Sequence, residues 1–417
     1  MPEGKLLPTK EIGSLRKPAW LLAFLRSGAP QEEKELARDE AALANIKMLE
    51  GVGLDYVYDG EVRRIEMYEY PVRYIEGFEF AGLVRSFDNK YYRKARVVGP
   101  VRLRENYHLR EFEFVRRWAS RTPKVPVTGP YTIADWSYDE YYRDKGELAV
   151  ELARNVIRPL LQGLVEAGAR VIQIDEPAAT THPDEVPMFV EAFNESVRGL
   201  DAEIHVHICY SGDNYRSLYP HALELRASHY ALEFANRDTW ELGADDEHRV
   251  GYDFLRLMRE HGDPRTLGLG VVDVHTDRME PPELVRDRIL YAAKLLGDPW
   301  KLMVNPDCGL RTRSRRVALQ KLETMMRGVE MARAALARGA GGGIRTHEGE
   351  WPTGSQGPRV GPLRHPGADR APAARICAFP APSRWAAGIR GRGPGGGTPR
   401  GERYIPPGAP APICPGG

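Results

Sequence analysis

The sequence predicts a (β/α)8 TIM barrel with a hairpin insertion after the second strand and a disordered C-terminal tail. Short β-branched or apolar runs alternate with long helical patterns, which favours parallel βαβ units. Eight such runs fall within about 330 residues, enough for a barrel of eight units with insertions. Nearly every run ends in a residue that is costly to bury, and in a barrel those C-terminal ends meet at one mouth. An open doubly wound sheet is the competing architecture, but no Gly-rich phosphate fingerprint follows the first run.

The first run is "LLPTKEIGS" (6–14), ending in Ser14. A helical pattern, "QEEKELARDEAALANIKMLEGVG" (31–53), leads to the second, "LDYVYDGE" (54–61), which ends in Glu61. Residues 78–103, "FEFAGLVRSFDNKYYRKARVVGPVRL", break the rhythm and read as the hairpin. Within it, "NKYYRKAR" (89–96) is either a solvated hairpin or a cradle for a negatively charged substrate tail. The third run is "KVPVTGP" (124–130), and Trp136 follows it. That ring either packs as core or lid, or offers a face to a flat heterocycle.

The pattern "ELAVELARNVIRPLLQGLVEAG" (147–168) ends in Gly, a helix stop signal, and precedes "RVIQIDEP" (170–177). Asp175 and Glu176 are adjacent there, so they point to opposite faces: one to the mouth, the other to pair with an Arg. "IHVHICYS" (204–211) places His205, His207 and Cys209 on one face. "HYALEFA" (229–235) carries Glu233, and "LGLGVVDVHTD" (267–277) ends near His275. A core histidine is the plain reading of His275, but a strand end is an expensive place for an idle imidazole. A helix, "PELVRDRILYAAKLLG" (282–297), then stops at Gly before "WKLMVNPDCG" (300–309), which carries Cys308.

Residues 339–417 change character. They hold 19 Gly, 14 Pro and ten Arg against four acids, without apolar periodicity. Such a segment cannot bury enough apolar surface to offset its ordering entropy. The organisation is therefore a barrel domain over 1–338 and a low-complexity tail over 339–417, with no chemistry assigned to Cys377 or Cys414. With a formal net charge of +1 overall, the body is left mildly acidic, which argues against nucleic acid as its partner. No apolar run is long enough for a signal peptide or a membrane span, so a cytoplasmic location is expected. Four Cys in 417 residues make no disulfide framework.

His207, Cys209, Glu233 and Cys308 together offer one nitrogen, two sulfurs and one carboxylate oxygen. That is a tetrahedral Zn²⁺ set in type and number, and thiolates favour zinc over Mg²⁺ or Ca²⁺. A lone His-x-Cys would be no more than a buried structural pair, and Glu233 alone a solvated strand end. The combination carries the reading: these are the only two Cys of the body, one beside a His, all near strand ends. His205 lies one layer deeper and is expected to support a ligand or to pack.

These residues also sit in familiar motifs. "HICY", "VNPDCGL", "VIQIDEPA", "TGPYTIADWS", "DGE" ahead of an acidic "MYEY", and the opening "EIGS" resemble cobalamin-independent methionine synthase, over residues 8–335 and in family order. The chain looks like the catalytic barrel alone, as in short archaeal-type members. The resemblance implies one zinc per chain on His207, Cys209, Glu233 and Cys308. It implies Ser14, Glu61, Asp175 and His275 around homocysteine, and Trp136 facing a pterin. The implied reaction is methyl transfer to a zinc-activated homocysteine thiolate, from a methyl-tetrahydropterin or a methyl-corrinoid such as methylcobalamin. His275 is the catalytic candidate for protonating a pterin leaving group. Other zinc thiol alkyltransferases, of coenzyme M or methylthiol type, compete, but they have no need of the paired carboxylates Glu61 and Asp175. A non-catalytic barrel with structural zinc would close its metal with Cys and His alone.

Overall fold

Parallel strands need crossover connections, and helical segments supply them here. The computed structural model describes residues 4–85 and 91–340. In chain order the strands are β1 (Tyr56–Val57), β2 (Ile75–Arg85), β3 (Tyr91–Leu103), β4 (Thr122–Pro123), β5 (Val125–Thr128), β6 (Tyr138–Asp139), β7 (Val171–Asp175), β8 (Glu203–Ile208), β9 (His229–Leu232), β10 (Thr266–Gly270) and β11 (Leu302–Asn305). β5, β7, β8, β9, β10 and β11 form one parallel sheet in that order. β1 pairs with β4 in the same sense, and only Lys124 separates β4 from β5. The remaining gap is spanned by the first segment of the chain: Thr9 bridges Val304 of β11, and Lys10 bridges Tyr56 of β1. Pairing thus passes from strand to strand around the ring in sequence order. The expected first strand shrinks to these bridges because Leu7 is left-handed (φ 52°) and Pro8 has no N–H to give.

Side chains alternate along each barrel strand. Ile172, Ile174, Val206, Ile208, Leu267 and Leu269 belong to one continuous buried apolar cluster with Leu152, Phe189 and Ile289 of the surrounding helices. The other face is polar, unlike the branched apolar layers usual in this fold. Lys10, Lys124, Gln173 and His205 are all buried there, and each is partnered, as buried polar groups must be. Lys124 donates to Ile12 O and, at 3.0 Å, to Gln173 Oε1. Gln173 Nε2 donates to Asp175 Oδ1 at 2.7 Å. His205 donates from Nε2 to Glu203 Oε1 (2.9 Å), which leaves Nδ1 to accept from Lys10 Nζ (2.9 Å). Burial pulls both lysines down, Lys124 to about 8. His205 is therefore a packed interior histidine.

β2 and β3 form the expected hairpin, antiparallel from Ile75↔Leu103 to Arg85↔Tyr91, and β6 adds to it in parallel. Asn89 and Lys90 of the basic, aromatic run lie outside the described residues. Tyr92 packs toward Trp136 and Tyr68, and Lys94 Nζ sits 4.1 Å from the Tyr138 ring centre.

Two expectations need correcting. β10 ends at Gly270, so His275 belongs to the following loop and not to the strand end. Val271, Val272 and Val274 are buried in that loop, and a buried apolar loop reads like strand in sequence. Glu176 has no Arg partner among the described contacts. Its carboxylate accepts from Tyr131 N (3.1 Å), Thr132 N (2.8 Å) and Thr132 Oγ1 (2.6 Å), and so holds the start of the helix Pro130–Asp135 that ends at Trp136. The helix Pro282–Leu296 stops at left-handed Gly297 as expected. The last helix, Arg315–Ala340, runs two residues past the expected domain boundary. The segment 341–417, expected to be disordered, lies outside the described residues. Among the described residues no helix is long and apolar enough to cross a membrane.

Candidate active site

His207, Cys209 and Cys308 come together at the ends of β8 and β11, with one donor atom of each within 4.8 Å of the others. The period of β8 puts His207 and Cys209 on one side, and the turn "NPDCG" brings Cys308 round to meet them. His207 Nδ1 lies 2.9 Å from Ala231 O. A carbonyl only accepts, so Nδ1 carries the proton and Nε2 keeps its lone pair. That Nε2 is buried and has no partner among the described residues. Burial depresses the imidazole to about 3, so it is neutral. The Cys308 thiol is pushed up by its hydrogen bond with Cys209, then by burial and by the Glu233 charge. A neutral imidazole whose buried Nε2 lone pair lies beside two thiols is a soft donor set that fits Zn²⁺.

Glu233 is not one of this close trio. It is buried, and its charge reaches Cys308. Its Oε2 accepts from Asn236 Nδ2 (2.9 Å) and its Oε1 lies 3.4 Å from His275 Nε2. That contact with Glu233 pushes the His275 pKa up against the opposing effect of burial. His275 is thus brought to the metal-type cluster by its loop.

Glu61 and Asp175 form a second focus. Glu61 follows Gly60 in a turn where both are left-handed (φ 56° and 72°). The turn is held by Glu61 N donating to Asp59 Oδ1 (2.8 Å), while Asn45 Nδ2 donates to Asp59 O (2.8 Å). A Cβ on residue 60 would lie 2.6 Å from Asn45 Nδ2, so Gly is required there. Arg64 lies 3.4 Å from Glu61 Oε1 and is itself anchored by Glu111 (2.7 Å) and Pro126 O (2.7 Å). Burial, and then the neighbouring Glu61 charge, raise the Asp175 carboxyl to about 7. Two buried acids this close suit a cationic guest. Ser14 and Glu61 line one cavity of about 540 Å³ with Arg16, Lys17, Arg64 and Arg311. Cations are therefore at hand for a carboxylate beside the acids for an ammonium.

Trp136 stands apart. It packs between Tyr92 (5.9 Å between ring centres) and Tyr68 (6.4 Å) at the hairpin side, outside the lining of that cavity. Sequence reasoning missed Lys124, Gln173 and Arg64, which surround the two acids. Only a lysine opening an otherwise apolar strand, "KVPVTGP", hinted at the first.

Residues 7–333 match the family model described as the catalytic domain of cobalamin-independent synthase. A methionine synthase from Thermoplasma volcanium is 44% identical over 332 residues, which are 77% of this chain and 96% of that relative. One from Thermococcus kodakarensis is 41% identical, over 80% of this chain and 95% of that protein. Among solved structures, a B12-independent methionine synthase from a Shewanella species, in complex with selenomethionine, superposes with a TM-score of 0.70 at 27% identity, over 80% of this chain and all of that one. By its motifs, its fold and these matches, the chain belongs to the cobalamin-independent methionine synthase family, as its catalytic domain.

Proposed function

We propose that this chain is a zinc-dependent homocysteine methyltransferase that forms L-methionine, with His207, Cys209, Cys308 and Glu233 as the ligands of one Zn²⁺. The observation that carries this reading is the buried, unpartnered Nε2 of His207 facing two thiols. Zn²⁺ held there would lower the pKa of an incoming thiol and keep it as a nucleophilic thiolate at neutral pH.

The protein's own groups do the rest. Glu61 and Asp175 grip the ammonium of homocysteine, and the ammonium in turn stabilises the charged form of Asp175. The Ser14 loop, with its neighbouring cations, receives the carboxylate. Holding the sulfur in line with the methyl carbon is worth up to about 7–11 kcal/mol in favourable cases. The new S–CH₃ bond forms as the bond from methyl to its carrier breaks. If the carrier is a methyl-tetrahydropterin, its nitrogen leaves with the electron pair and takes a proton from His275 Nε2, while Trp136 offers its ring to the pterin. If it is a methyl-corrinoid such as methylcobalamin, the cobalt keeps the electron pair and no proton is needed. Soluble reactants of this kind imply a cytoplasmic reaction, with neither nucleic acid nor membrane as partner.

The test is methionine formation by purified, zinc-loaded protein given homocysteine with either methyltetrahydrofolate triglutamate or methylcobalamin. Turnover with one donor identifies it. No methylation of homocysteine by either, but methylation of another thiol, would move the chain to a different thiol alkyltransferase. Removing the metal with a chelator is expected to abolish turnover while shifting Tm by only a few degrees, as for a metal serving chemistry in a barrel that has its own core. A collapse of the fold on chelation, followed by calorimetry, would instead mark a structural metal.

A further inference from the structure

We propose that Asp307 is the positioning residue of the metal set, a strut that fixes where Glu233 stands relative to Cys308; this rests on the reading of those two residues as ligands. Asp307 leaves the end of β11 immediately before Cys308. Its Oδ1 accepts the backbone N–H groups of Phe234 and Ala235, each at 2.9 Å, and its Oδ2 accepts that of Asn236 at 2.7 Å. Those three residues directly follow Glu233. Asn236 then passes the constraint on, because its Nδ2 donates to Glu233 Oε2 at 2.9 Å.

β9 and β11 are not neighbours, since β10 lies between them. The carboxylate can cross only because β10 ends in glycine. A Cβ on Gly270 would lie 2.2 Å from Asp307 Oδ1 and 2.7 Å from Leu232 O. Asp307 is fully buried, and its oxygens are satisfied by backbone N–H groups in place of water. A carboxylate bound to three consecutive N–H groups leaves the segment after Glu233 little freedom. Ligands to a metal need that kind of outer support to hold their geometry.

The experiment compares wild type with Asp307→Asn and Gly270→Ala, using the full chain loaded with Zn²⁺ or Co²⁺. Asn puts an N–H₂ group where a backbone N–H needs an acceptor, and Ala drives the carboxylate off its path. Zinc affinity, measured by competition with a chromophoric chelator, is expected to fall roughly 10–100-fold in either variant. The visible absorption bands of the cobalt form, which report ligand geometry, are expected to change with it. Adding Gly270→Ala to Asp307→Asn should cost little more, since both act on one strut. If Asp307→Asn does not fold, Gly270→Ala gives the same two readouts. Folded variants with wild-type zinc affinity and wild-type cobalt bands would overturn the strut, even if their Tm had dropped. Wild-type protein that binds neither ion would overturn the ligand assignment first, and the strut with it.

Discussion

Cys308→Ser protein is expected to hold well under one zinc per chain and to lose more than about 100-fold in turnover, beyond the effect usual for outer-shell changes. Serine is nearly the same size, so the half-buried position is not disturbed by volume. The chemistry is what changes. A hydroxyl stays protonated where a thiol beside a cation would ionise, and an alcohol oxygen is a poor match for a borderline-soft ion. His207, Cys209 and Glu233 would then be left with one strong sulfur donor between them. Metal analysis of the purified variant checks the first half of the expectation, and a methionine assay the second. A Tm within a few degrees of wild type shows that the barrel is intact. Full activity in metal-depleted Cys308→Ser protein would remove zinc from the mechanism.

Asp175→Asn and Glu61→Gln are expected to lower kcat/KM for homocysteine by roughly 30-fold to several thousand-fold, the equivalent of about 2–5 kcal/mol for losing one partner of a buried charge pair. The Glu61 charge reaches Asp175 and raises it, while Lys124 is engaged by Gln173 and Arg64 is shared between Glu111 and Glu61, so an incoming ammonium supplies countercharge that the pair holds only in part. A control thiol without an amino group separates binding from damage. Its slower methylation should be the same in wild type and variants. Equal losses on both thiols would mean that the acids support the fold and do not hold the substrate.

The strands were legible in the sequence because apolar alternation and glycine-terminated helices are local signals. The metal-type trio was legible for a related reason: period two fixes the shared face of His207 and Cys209, and Cys are few. Other parts of the site depend on atoms brought together from far along the chain. Lys124 meets Gln173 only when β5 and β7 align, and nothing near either residue announces it. One of the adjacent acids Asp175 and Glu176 was expected to seek an Arg, yet Glu176 caps a helix that begins 46 residues earlier. His275 was displaced from strand to loop because burial of Val271, Val272 and Val274 mimics a strand's apolar run. Asp307, inside "NPDCG", lay beside Cys308, a ligand candidate, but its three partners belong to a loop some seventy residues away.

Glu61 occupies backbone that favours glycine (φ 56°). For an ordinary L-residue that conformation costs about 1–2 kcal/mol, and glycine would adopt it freely. If Glu61 holds the substrate ammonium as proposed, the fold and the reaction prefer different residues at this position. A laboratory selection that rewarded heat resistance alone would be drawn to glycine at 61, and would return a sturdier barrel with a weakened grip on an amino group. Any attempt to harden this enzyme should hold that residue fixed and look for its gains elsewhere.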